Sequence, residues 1–290
     1  MAVIPGFEDS LAEVNSQTIA YSRAGSGPPL LLLHGFPQMR AMWRGIAPAL
    51  AERFTVIAAD LRGYGDSSKP EGVAAYSFRH MAADQLALMQ HLGFDRFHLV
   101  GHDRGARTSH RLALDAPEAV ETITLMDIIP THLLLDKLSQ EVAKAYYHWF
   151  FLAQPAPFPD QMIGSDPDAY FEHCLIGWDT GGLQGYDPEA LNHYRTSWRR
   201  PDAITGMCND YRAAIEHDFD LDARDLGRVL DCPALILYGR NGVMNKAYDV
   251  PGTWSDRFAS VQGHAMPGGH FFPDLHPQET TQALLDFLPG

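Results

Sequence analysis

The chain has 290 residues, 46% of them hydrophobic, enough to bury a large core in one enlarged α/β domain or in a core plus an insertion. Its net charge of −14 argues against nucleic acid and anionic membrane surfaces as partners, but leaves room for a small anion wherever local charge opposes the total. Cys174, Cys208 and Cys232 are odd in number and irregular in spacing, which points to a reducing cytoplasm rather than a disulfide framework. The first ten residues carry neither a basic nor an apolar leader region, and no apolar run is long enough to span a bilayer.

Leu11 to Arg23 reads as a β-hairpin turning at Asn15-Ser16. Leu30 to Leu33 is wholly apolar, as in a strand buried on both faces, and runs into His34-Gly35-Phe36-Pro37. Met42 to Phe54 suits a helix and Val56 to Ala59 a second buried strand, followed by a glycine-punctuated loop, Asp60 to Ser67, in which Asp60 and Arg62 read as structural. In Ser77 to Leu92 an apolar stripe of Phe78, Met81, Ala82, Leu86, Met89 and Leu92 has helical spacing. A strand from Phe97 leads into Asp103, a helix spans Arg104 to Asp115, and a strand from Ile123 to Met126 delivers Asp127. This alternation predicts a mostly parallel sheet covered by helices on both sides. From 130 to 224 the buried strands give way to aromatic-rich helical segments, the pattern of a helical cap inserted between core segments 1–129 and 225–290. The charges from Asp218 to Arg228 read as a solvated helix face. A strand, Ala234 to Tyr238, resumes the core, Pro267-Gly268-Gly269 turns into His270, and a helix from Gln278 to Phe287 ends the chain.

Ligands in such sheets bind at the carboxyl ends of the strands, where Asp103, Asp127, His270 and the His34-Gly35-Phe36 turn all fall. The turn Gly101-His102-Asp103-Arg104-Gly105 resembles the Gly-x-Ser-x-Gly elbow of α/β-hydrolases, with a carboxylate in place of serine. A carboxylate there can attack an sp3 carbon and leave an ester on Asp103, which water activated by His270 then hydrolyses. The backbone N–H groups of Phe36 and Arg104 are the natural oxyanion donors. The acid that orients His270 is Asp127: the turn after Ala234 to Tyr238 offers Asn241, which carries no charge, and Asp249 is a reserve. Arg104 and Arg107 share a face at a helix start and can clamp a substrate carboxylate over Asp103. The histidines lack metal-ligand spacing, and no phosphate- or dinucleotide-binding glycine pattern fits, so no metal or cofactor is expected.

His102-Asp103-Arg104-Gly105-Ala106-Arg107, Asp127-Ile128-Ile129-Pro130, Tyr146-Tyr147-His148-Trp149, Asp210-Tyr211-Arg212-Ala213 and Gly268-Gly269-His270-Phe271-Phe272 together resemble the fluoroacetate (haloacetate) dehalogenases, over nearly the whole chain. The resemblance implies hydrolysis of a short 2-haloacid, fluoroacetate and water giving glycolate and fluoride, in a homodimer. It also implies a halide pocket formed by His148, Trp149 and Tyr211, walled by Trp178 and Phe36. Read without it, those three are core aromatics and a satisfied core histidine. Two other readings stand beside it. A soluble epoxide hydrolase uses the same triad and takes its acid from tyrosines such as Tyr146, Tyr147 or Tyr211. A ligand receptor on a hydrolase fold would bind without turnover.

Overall fold

The computed structural model describes residues 2–178 and 182–289. Eight strands form one sheet: β1 (Glu8–Val14), β2 (Gln17–Ala24), β3 (Pro29–Leu33), β4 (Thr55–Ala59), β5 (Phe97–His102), β6 (Val120–Met126), β7 (Ala234–Gly239) and β8 (Val261–Met266). Their order is β1-β2-β4-β3-β5-β6-β7-β8. The hairpin β1–β2 turns at Asn15 and Ser16, both at positive φ, and β2 pairs antiparallel with β4; every later pairing is parallel. The all-apolar runs become the centre of the sheet: Leu30 to Leu33 and Val56 to Ala59 are fully buried. This is the placement expected for strands covered on both faces.

The helices that place the site are α1 (Phe78–His91), α2 (Arg104–Asp115), α3 (Tyr147–Leu152), α4 (Pro188–Trp198), α5 (Pro201–Ala213), α6 (Phe219–Arg224) and α7 (Pro277–Phe287). Among the described residues no strand occurs between β6 and β7, and α3 to α6 all lie in that excursion. None of the described helices is long and apolar enough to cross a membrane. The three cysteines are free thiols.

Three local expectations are corrected. Met42 to Phe54 is not one helix: a 3-10 turn, Arg40–Gly45, gives way to a single α turn, Ala47–Leu50, because Gly45 and Pro48 interrupt the ladder. The edge strand β8 escapes the sequence pattern, since Gln262, Gly263 and His264 are exposed and polar or small. The charges from Asp218 to Arg228 are only half solvated: Asp220, Arg224 and Arg228 are exposed. Asp218, Asp222 and Asp225 are buried. Asp222 meets Arg257 at 3.3 Å and accepts from the backbone of His132, while Asp225 pairs with Arg111.

Asp218 ends a five-residue π-helical segment, Ala214–Asp218, and its carboxylate receives the Phe78 N–H at the start of α1, 3.0 and 3.1 Å from its two oxygens. Burial pushes its pKa up to about 8, against the lowering effect of that hydrogen bond and of Arg104. A carboxyl whose folded pKa lies above its unfolded value stabilises the fold in its protonated form. That contribution is complete below the ordinary carboxylate pKa and is lost as pH rises through about 8. Asp218→Asn keeps an acceptor for Phe78 without the ionisation. Its melting temperature is therefore expected to gain on that of the parent between pH 5 and pH 8, roughly a few degrees by the end of the range. Parallel thermal melts across that range check it; curves that do not converge or cross contradict it.

Candidate active site

β5 runs straight into Asp103, which adopts φ 46° and ψ −112° at the head of α2. A non-glycine residue in that region is strained, and such strain at a strand-to-helix turn projects one side chain above the sheet. The turn closes only because its flanks are glycines. A Cβ on Gly105 would collide with the carbonyl oxygens of Leu33 and His34, and one on Gly101 with the backbone of Gly105. Gly105 instead donates to His34 O at 2.9 Å, locking the elbow to the His34-Gly35-Phe36 turn. Across that junction the Phe36 N–H donates to Asp103 Oδ2 at 3.0 Å. The Arg104 N–H opens α2, where helix geometry leaves the amide without a carbonyl partner from its own helix.

His270 follows the Pro267-Gly268-Gly269 turn beyond β8, and its Nδ1 lies 2.6 Å from Asp127 Oδ2. Asp127 leaves β6 at φ 52°, with its own N–H bonded to Leu237 O at 2.8 Å. Its second oxygen, Oδ1, accepts the Gly239 N–H at 2.9 Å. The end of β7 thus supplies a backbone donor to the acid rather than the acid itself. Asn241 and Asp249 are exposed, and Asp249 caps its own turn at Gly252. His102 lies 2.9 Å from the His270 carbonyl through Nε2, so the residue before the elbow also anchors the histidine loop. Asp103, His270 and Asp127 are all nearly inaccessible to solvent. Burial pushes the Asp103 carboxyl up, but the charges of His270, Arg104, His102 and Arg107 overcome it and hold the pKa down at about 2. Asp103 is therefore an anion over the whole neutral range.

The two arginines differ. Arg104 is completely buried and grips Asp210, with Nε 2.8 Å from Oδ2, Nη2 against Oδ1, and Nη2 3.0 Å from the Asp210 carbonyl. Its guanidinium lies over the rings of Tyr211, Phe78 and Trp149, 4.2, 4.6 and 4.9 Å from their centroids. Burial works against its charge, yet the facing Asp210 carboxylate raises its pKa. Arg107 lies over Trp149 at 4.9 Å and donates through Nη1 to Ile129 O and Thr131 Oγ1, both at 3.0 Å. No carboxylate forms an ion pair with it among the described residues, and burial pushes its pKa down to about 10. It stays protonated at neutral pH, a buried cation whose opposing charge is the Asp103 carboxylate, beyond ion-pair contact.

His148, Trp149 and Tyr211 are brought together. The Tyr211 ring centroid lies 5.4 Å from His148 and 5.3 Å from Trp149, and Phe36 packs on Tyr211 at 5.1 Å and on His148 at 5.9 Å. Trp178 closes the other side, 4.1 Å from His148 and 5.8 Å from His270, with its indole N–H donated to Ala145 O at 3.0 Å. Among the described residues, the Tyr211 hydroxyl and His148 Nδ1 are buried without a protein partner. Burial lowers the His148 pKa well below its ordinary value and raises that of Tyr211. Both are therefore neutral, with hydrogen-bonding capacity left for a ligand. Of the other tyrosines, Tyr146 is buried and stacks on Trp178 at 6.0 Å, whereas Tyr147 is exposed.

Sequence reasoning missed Asp210 as the partner of Arg104, and Tyr64, whose hydroxyl donates to Asp210 Oδ2 at 2.6 Å. The available signal was a carboxylate directly before Tyr211 in a helical stretch that also carries buried apolar residues such as Ile204 and Met207. Asp60 and Arg62 are structural, as expected: Asp60 pairs with Arg40, and Arg62 makes a two-point contact with Asp84. Among the described residues no three His, Cys, Asp or Glu side chains are grouped to hold a metal ion.

Comparison with known proteins agrees with this geometry. The α/β hydrolase fold family matches residues 28–277. The chain is 52% identical over 286 residues to a fluoroacetate dehalogenase from a Burkholderia species, covering 98% of this chain and 94% of that one. It is 33% identical to a soluble epoxide hydrolase from Corynebacterium sp. strain C12, covering 96% of each. A solved structure from Nostoc sp. PCC 7120, described as that of a proposed α/β hydrolase, superposes with a TM-score of 0.95 at 46% identity, covering 97% of this chain and 98% of that one. The chain belongs to the fluoroacetate dehalogenase family of the α/β-hydrolase superfamily and is a hydrolase acting on carbon–halide bonds.

Proposed function

We propose that the enzyme hydrolyses short 2-haloacids, converting fluoroacetate and water to glycolate, fluoride and a proton. The observation that carries this reading is an ionised, strained carboxylate at the elbow beside Arg107, a buried cation with no carboxylate in ion-pair contact among the described residues. A neutral epoxide or haloalkane has no use for that cation, whereas a carboxylate neutralises it.

Asp103 Oδ1 attacks the α-carbon, because Oδ2 is held by the Phe36 N–H. The carbon–halogen bond breaks as the carbon–oxygen bond forms, with inversion at a chiral carbon. Arg104 and Arg107 hold the substrate carboxylate, and His148, Trp149 and Tyr211 donate hydrogen bonds to the departing halide. Fluoride is a poor leaving group, so donors already in place in a dry pocket matter more here than for the heavier halides. His270, held by Asp127, then takes a proton from water as that water adds to the Asp103 carbonyl carbon. The negative charge that develops on Oδ2 is met by Phe36 N–H and Arg104 N–H. Collapse releases glycolate and regenerates the carboxylate. Side chains and water carry every step, so the scheme needs no cofactor.

The helices between β6 and β7 serve as the cap of this site, spanning 130–224 over a core of 1–129 and 225–290. The near-complete burial of the triad means that substrate entry requires the cap to open. The scheme suits a cytoplasmic enzyme, and a homodimer, the assembly the family resemblance implies, is checked by sedimentation.

The decisive experiment uses His270→Ala. Water attack stalls while alkylation proceeds, so incubation with fluoroacetate followed by peptide mass spectrometry is expected to show a carboxymethyl group on Asp103. An unmodified Asp103 peptide, with no halide released in a single turnover, overturns the scheme. Styrene oxide offered in parallel tests the epoxide hydrolase reading, which predicts an adduct from that compound instead.

A further inference from the structure

The pairing of Arg104 with Asp210 bears on which anions the site accepts, and it rests on the reading of Arg104 and Arg107 as carboxylate anchors. Gly206 of α5 lies against Gly63 of the loop after β4; a Cβ on Gly206 would stand 2.8 Å from the Gly63 Cα. This backbone-to-backbone approach brings Tyr64 under α5, where its hydroxyl reaches Asp210 Oδ2 at 2.6 Å. Asp210 is completely buried and holds Arg104 through both oxygens and its carbonyl. Among the described residues, Nη1 is the Arg104 nitrogen left buried without a partner, and Nε of Arg107 is likewise buried without one. Asp210 precedes Tyr211, so one turn of α5 carries the partner of the anchor and a wall of the aromatic pocket.

We propose that Asp210 determines charge specificity and positions the anchor. With Tyr64 it fixes the Arg104 fork and cancels its charge, leaving Arg107 as the one anchor guanidinium with no carboxylate in ion-pair contact among the described residues, so that the site accepts monoanions and rejects dianions. In a buried site the number of uncompensated charges discriminates between ligands more strongly than shape does, because an unmatched charge cannot be screened by water. Two free guanidiniums would hold a small dianion, whereas one guanidinium leaves the second carboxylate of such a ligand unpaired.

The test compares glycolate, a monoanion, with oxalate, a dianion of nearly the same size, by isothermal titration calorimetry in chloride-free buffer. The parent enzyme is expected to bind glycolate more tightly than oxalate. Asp210→Asn is expected to shift the ratio of the two dissociation constants about tenfold or more toward oxalate, whatever it does to either constant alone. A ratio unchanged from the parent overturns the proposal, because a purely structural ion pair would weaken both ligands alike. Tyr64→Phe removes only the donor to Asp210 and keeps the proposal testable if Asp210→Asn does not fold. It is expected to raise KM for fluoroacetate about threefold with kcat within about twofold; an unchanged KM contradicts the positioning role. If glycolate fails to bind the parent enzyme and does not inhibit fluoroacetate turnover, the arginine anchor itself is wrong. That result differs from an unshifted ratio, and it removes this proposal with it.

Discussion

Asp103→Asn is expected to abolish halide release, with kcat/KM for fluoroacetate falling at least about 10⁴-fold while the fold persists. Three features set the magnitude. The parent carboxylate is ionised with its pKa held near 2, so the anion is always available for attack. An amide is a far weaker nucleophile, and alternatives are not at hand, since the nearby His102 is engaged with the His270 carbonyl. The fold survives because asparagine tolerates positive φ better than most residues, and its amide oxygen would still accept from the Phe36 N–H. Fluoride-electrode assays give the activity and thermal melts give the fold. Residual turnover above a per cent of the parent's would remove Asp103 from the nucleophile's role.

Arg107→Ala is expected to lower kcat/KM for bromoacetate by about 10²- to 10³-fold and to leave bromoacetamide much less affected. Arg107 is a buried cation with no carboxylate in ion-pair contact among the described residues, so a substrate carboxylate gains there an ion pair that the neutral amide cannot. Halide release from the two substrates separates the readings. An equal loss for acid and amide would make Arg107 a packing residue for Trp149, Ile129 and Thr131. Lysine at this position is a poor substitute, because a single ammonium cannot keep the contacts to Ile129 O and Thr131 Oγ1 while stacking on Trp149.

The parts legible in the sequence share a physical trait: they are local. The apolar runs at Leu30 to Leu33 and Val56 to Ala59 announce buried strands because nothing in them can face water. The elbow is legible because its glycines sit two residues either side of Asp103, and Arg104–Asp115 matches its helix to the residue. The illegible parts are pairings between distant residues. Arg104 meets Asp210 across 106 residues, Arg111 meets Asp225 across 114, and Asp222 reaches Arg257 across 35. In isolation each of these aspartates looks like a solvated charge. β8 fails for another reason: an edge strand need not alternate apolar and polar residues when most of it is exposed. The carboxylate beside His270, by contrast, is legible as the better of two candidates: Asn241 cannot carry a charge, Asp127 leaves the neighbouring strand end, and its Oδ2 lies 2.6 Å from His270 Nδ1.

The Phe36 N–H···Asp103 Oδ2 contact makes the two oxygens of one carboxylate distinguishable, and so gives the enzyme an isotopic memory. On the proposed scheme, the first glycolate released in heavy-oxygen water is expected to carry the old Oδ1 atom, with the solvent atom taking its place. If the contact holds the group against rotation through many turnovers, every later product is labelled while one oxygen of Asp103 stays light indefinitely. If the carboxylate spins between cycles, both positions fill with solvent label. Counting heavy atoms in the Asp103 peptide after prolonged turnover therefore times the rotation of a single side chain with the catalytic cycle as the clock.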